Sequence, residues 1–148
     1  MIRPSFRGRF PVRGQVRGML NRRGDQFAES AIVFPIVVLL MVALFNMAEA
    51  GFASVNAANA ANHGARVGSV YQQHPGSAAY SAATESISHA PLGSYTVSVA
   101  GGGFPGATIT VTVDWSVPNF IAPIIAFFGG SMGDLKGTAT STFRQEGW

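Results

Sequence analysis

The chain contains no cysteine, which excludes disulfides, thiolate metal sites, a cysteine nucleophile and a lipidated lipoprotein start. It is also poor in charge. Only 11% of its 148 residues are Asp, Glu, Lys or Arg, against about a quarter in an ordinary soluble domain, so this is not a typical cytosolic surface. No acid precedes Asp25, and no charge of either sign interrupts Ala31 to Phe45. The three histidines, His63, His74 and His89, have no ligand-like spacing with one another or with Asp114 and Asp134. No serine sits in a nucleophile elbow and no pair of carboxylates recurs at short spacing. Neither an enzyme nor a metal or other cofactor is therefore expected.

What the chain does have is unevenly placed. Arg3, Arg7, Arg9, Arg13, Arg17, Arg22 and Arg23 are seven of its ten basic residues. From Asp25 onward only Arg66, Lys136 and Arg144 face seven acids, so the net charge of +3 hides a mildly acidic body. A basic leader ahead of an apolar run reads as a cytoplasmic anchor by the positive-inside rule. With no basic face and no recognition motif in the body, nucleic acid is not an expected partner.

Residues 1–24 interleave arginine with Pro4, Pro11, Gly8, Gly14 and Gly18 and read as a disordered, cleavable cytoplasmic leader. A helix is expected from about Asp25. Phe27 to Ala48 supplies 22 mostly apolar residues, and at about 1.5 Å each they cross a hydrocarbon core of roughly 30 Å. Residues 25–48 are thus a transmembrane helix, with Pro35 expected to bend it. Residues 49–71 continue the helix outside the membrane. Alanine dominates there, with Glu49, Asn56, Asn59, His63 and Arg66 expected along one side and Phe52 and Val55 opposite. The helix is expected to end between Gly64 and Tyr71, ahead of His74-Pro75-Gly76.

Residues 72–148 form the head. Ser77 to Ala90 is a weaker helix or loop. Tyr95, Val97 and Val99, then Ile109, Val111, Val113 and Trp115, alternate with Thr and Ser, the period of half-buried strands. Gly137 to Arg144 is a third such stretch. Gly101, Gly103 and Gly106 satisfy a dinucleotide-binding fingerprint by letter, but a strand pattern follows where a helix is required, so the segment is a hairpin loop. Phe120 to Phe128 is too short to span a bilayer. It is either a loop folded back over the head or an exposed contact patch. The expected fold class is α+β: a long transmembrane-plus-amphipathic helix carrying a small antiparallel sheet of about three strands, in a pilin-like arrangement.

One acid stands apart. Glu29 lies just inside the apolar segment, where a buried carboxylate costs on the order of 2–3 kcal/mol. The plain reading is a helix-start acid whose carboxylate reaches the interface. The functional reading needs Gly24: cleavage after it makes Asp25 a new N-terminus and Glu29 its fifth residue. The ammonium of one subunit could then neutralise the carboxylate of the next, setting their register.

Gly24-Asp25-Gln26-Phe27-Ala28-Glu29 resembles the processing site of type IV prepilins. Glu29-Ser30-Ala31-Ile32-Val33-Phe34-Pro35 resembles the opening of the TadE-like family, minor pseudopilins of tight-adherence (Flp-type) pili, although Ser30 stands where that family carries a bulkier residue. Asn59-Ala60-Ala61-Asn62-His63-Gly64-Ala65-Arg66 is similar to the family's N-x-A-x-x-G-A-R stretch, which singles out Asn59, Gly64 and Arg66 at the neck. The resemblance implies a structural role in pilus assembly and surface adhesion. Its implied partners are a prepilin peptidase, major and minor pilins and inner-membrane assembly proteins. The implied location is the bacterial inner membrane, single-pass, with the head outside and a place in the pilus after processing.

Two other readings stand beside it. Ala48-Glu49-Ala50 is an A-x-A site after a basic and apolar segment, which would release a secreted β-rich binding domain starting at Gly51. Alternatively the leader stays, and the chain is a permanently anchored TadE-like protein outside any pilus.

Overall fold

The computed structural model describes residues 15–146, with side chains from residue 27 onward. Six elements follow in order: α1 (Gln15–Val70), α2 (Pro75–Ser88), β1 (Ser94–Gly101), β2 (Thr108–Val117), α3 (Ala122–Phe127) and β3 (Leu135–Arg144). The chain divides into two compact units between Leu40 and Met41.

The expected leader lies outside the described residues as far as residue 14. From Gln15 the backbone is already helical, ten residues before the expected start at Asp25. Gln, Arg, Met and Leu are good helix formers, and no proline lies between Pro11 and Pro35. Extending an existing helix is far easier than nucleating one, so the turns ahead of Asp25 join it. In the first unit every described side chain from Phe27 to Leu40 is exposed. The stretch belongs to one helix long and apolar enough to cross a membrane. Pro35 lies inside α1 without ending it.

In the second unit the remainder of α1 packs on a three-stranded antiparallel sheet of order β1-β2-β3. The register sets Tyr95, Trp115 and Gly137 in one row, Val97, Val113 and Ala139 in the next, then Val99, Val111 and Ser141. Because side chains alternate across a strand, these rows share the inner face. Ile109, Val111, Val113 and Val117 are its largest fully buried side chains, each worth about 1.5–3 kcal/mol on burial. The opposite face is a threonine ladder. Thr110 and Thr142 hydroxyls lie 3.0 Å apart, Thr112 and Thr140 3.3 Å, and Thr138 Oγ1 donates to Asp114 at 2.6 Å.

The buried stripe of α1 runs through Asn46, Glu49, Ala53, Ala57, Ala60, Ala61, Gly64, Ala65 and Gly68. These positions recur at helical intervals of three and four. This corrects the expected faces in two respects. Glu49 is buried, unlike the exposed Asn59, His63 and Arg66 expected along the same side, while Phe52 and Val55 are 63% and 58% exposed. The contact selects small residues because α2 comes very close. A Cβ on Gly64 would meet Ala79 O at 2.7 Å and Ala83 Cβ at 2.8 Å, and one on Gly68 would meet Ile109 Cδ1 at 2.6 Å.

The helix ends at Val70, within the expected interval, and Ser77 to Ala90 proves largely helical, with Pro75 in the first turn, where its missing N–H costs nothing. Phe120 to Phe128 is half-buried at Ile121, Ala122, Ile124 and Ile125; Pro123 lies in the first turn of the short helix α3, and Phe127 and Phe128 at its end are 85% and 79% exposed.

Candidate functional site

The expected site residues fall into three groups. Gly24 and Asp25 lie within α1, where only the backbone is described. Glu29 is exposed and borders a surface hollow with Ser30, Val33, Phe34 and Val37. The neck residues separate by role. Asn59 and Arg66 are exposed, whereas Gly64 is buried where α1 and α2 lie close together. Gly64 is a packing residue. Arg66 borders a surface hollow with His63, Phe143 and Glu146.

Beside Arg66 the end of α1 is tied down by Gln145, which is 2% exposed. Its amide Nε2 donates to Tyr71 O at 3.3 Å, and its Oε1 accepts from Gly103 N at 3.1 Å. Gly106 N donates to Gln145 O at 3.0 Å, and Gln145 N to Ala107 O at 2.7 Å. One glutamine therefore joins the end of β3, the glycine-rich hairpin and Tyr71, the residue just after the long helix. Gly101 has a φ of +85°, a region open mainly to glycine, and the loop leads into β2. A phosphate-binding helix N-terminus is not built here.

A polar cluster missed by the sequence reading sits at the other end of the head. Asn46 Nδ2 donates to Asn119 Oδ1 at 2.8 Å, Asn119 Nδ2 to Gly133 O at 3.1 Å, and Ile121 N to Asn119 Oδ1 at 3.0 Å. Asn46 and Asn119 are 3% and 8% exposed. One turn along α1 is Glu49, 8% exposed, whose Oε2 has no hydrogen-bond partner among the described residues. Asn46 is the first polar residue after the charge-free run, and that position was the signal available. The partner, 73 positions away, had none.

The histidines are scattered: His63 on α1, His74 capping the start of α2 and His89 its end, all exposed. The chain matches no protein-family model, no curated protein and no solved structure.

Proposed function

We propose that the chain is a TadE-like minor pseudopilin, a membrane-inserted structural component of a tight-adherence pilus. The observation that carries this reading is the division of labour along α1. Its Phe27–Leu40 stretch is exposed throughout and apolar, while its later turns form the alanine-lined wall of a three-stranded head. A helix shared in this way between membrane and head suits a subunit that passes from bilayer to filament, because the same bare surface can face lipid first and neighbouring helices later. The prepilin peptidase would cut after Gly24, and Glu29 would take the ammonium of a neighbour's Asp25. Major pilins and inner-membrane assembly proteins are the partners, and the head faces outward.

The secreted alternative is disfavoured by a specific contact. Cleavage after Ala50 would remove Asn46 and Glu49, both buried in the head. Asn119 Oδ1 would keep only Ile121 N as a donor, and Phe120 N would lose its acceptor, Asn46 Oδ1.

The test is Glu29→Ala in the full chain, followed by membrane fractionation and counting of surface filaments. The variant is expected to insert normally but to lose filaments and adherence. Full piliation in Glu29→Ala would contradict the registration role.

A further inference from the structure

We propose that the segment around α3 is a second membrane contact, lying in the lipid headgroup region of the leaflet on the head's side. This rests on the membrane-inserted reading above and adds a lipid-binding surface to it.

Three observations carry the inference. First, Val117 to Gly133 contains no charged residue and exposes Phe120, Phe127, Phe128 and Met132 at 48%, 85%, 79% and 54%. Phe127 and Phe128 stack edge to face with centroids 5.4 Å apart and form one apolar tip rather than two scattered side chains. Second, the segment is clamped to one level of α1. Asn119 is bonded to Asn46, Phe120 N donates to Asn46 Oδ1 at 3.4 Å, and the Phe120 ring lies 6.2 Å from that of Phe45. Third, that level is where the charge-free run from Ala31 to Phe45 stops and the first polar side chain of α1 appears. A helix crossing a bilayer along that run leaves the hydrocarbon at this turn.

Lipid is the occupant that fits these facts. The segment itself carries no charge with which to pair a protein partner; the exposed Asp134 only borders it. Gly129, Gly130 and Ser131 beside the tip are small enough to sit among headgroups. Apolar segments lying in the interface bury their faces to about 5–10 Å, at the headgroup–acyl boundary, a depth suited to phenyl rings.

The cysteine-free chain allows a direct test by spin labelling at single introduced cysteines. Full-length Ala126→Cys, Ile36→Cys and Phe104→Cys proteins are labelled and reconstituted into phosphatidylcholine–phosphatidylglycerol vesicles. Collision with oxygen, which concentrates in lipid, is compared with collision with a water-soluble nickel chelate. The Ile36 label should meet oxygen, and the Phe104 label, in the β1–β2 hairpin, should meet nickel. The Ala126 label should meet oxygen at a shallow depth of about 5–10 Å. Adding Phe127→Ser and Phe128→Ser should move the Ala126 label into water and leave the Ile36 label in place. An Ala126 label as nickel-accessible as Phe104, with Ile36 still in lipid, overturns this inference alone. Shielding of Ala126 from both reagents, the mark of a protein partner, also overturns it, as does a label unmoved by the double substitution. A water-accessible Ile36 label overturns both this inference and the membrane reading beneath it.

Discussion

Asn46 and Asn119 meet through a buried hydrogen bond of 2.8 Å that joins α1 to the loop after β2. Further bonds from Asn119 to Gly133 O and from Ile121 N to Asn119 make it the fixed point of that loop. Asn119→Ala should therefore destabilise the head by about 1–3 kcal/mol, since buried partners are left unmatched. Asn46→Ala should cost a similar amount, and the two together less than the sum of the single effects, because they share one bond. Thermal unfolding of the full chain in detergent, followed by circular dichroism, measures all three.

Gly64 and Gly68 are one helical turn apart on the face that meets α2. Gly64→Val should lower stability by about 1–3 kcal/mol through overpacking, because the obstacle is the backbone oxygen of Ala79 as well as the Ala83 methyl. Gly51 has nothing within 4 Å of an added Cβ. Gly51→Ala should be stabilising by roughly 0.5–1 kcal/mol, as expected at an exposed helical glycine. Melting curves that ranked the two substitutions the other way would contradict the packing described here.

Gln145 binds the hairpin and the end of α1 together. Gln145→Ala should cost about 1–3 kcal/mol and speed amide exchange at Gly103, whose N–H it accepts. Hydrogen exchange read by mass spectrometry over peptides covering Gly101 to Gly106 checks this, with the Thr138 to Thr142 region as the unchanged reference.

Gly137 lies opposite Trp115 in the register, and a Cβ there would run into the indole ring. Gly137→Ala should displace the ring from the inner face and shift Trp115 emission to the red, measured in a Trp148→Phe background. An unchanged spectrum would mean that the indole has room to spare.

Much of the head was legible in the sequence because strands announce themselves by period. Tyr95, Val97 and Val99 and the Ile109 to Trp115 series fall on the inner face as their alternation requires. His74-Pro75-Gly76 located the break after α1 for a similarly local reason. The faces of α1 were harder. Its residues 49–68 are mostly alanine, glycine and asparagine, so hydrophobicity distinguishes the faces poorly, and the decision rests on how closely α2 approaches. Phe52 and Val55, expected opposite the polar residues, are exposed, while the close contacts with α2 and β2 are made at Gly64 and Gly68. The Asn46–Asn119 bond was invisible because its partners are distant in the chain and neither belongs to a motif. Of the residues singled out by resemblance, Gly64 gained a physical role in packing. The roles proposed for Gly24, Asp25 and Glu29, in processing and assembly, rest on the resemblance alone.

N-terminal sequencing of the chain recovered from the membrane fraction of its own cells bears most directly on the central claim. Cleavage behind the glycine should give material that begins Asp-Gln-Phe-Ala-Glu, at Asp25, and that still carries the apolar half of α1. Recovery of protein beginning at Gly51, or of protein that retains the arginines ahead of Gly24, would contradict it.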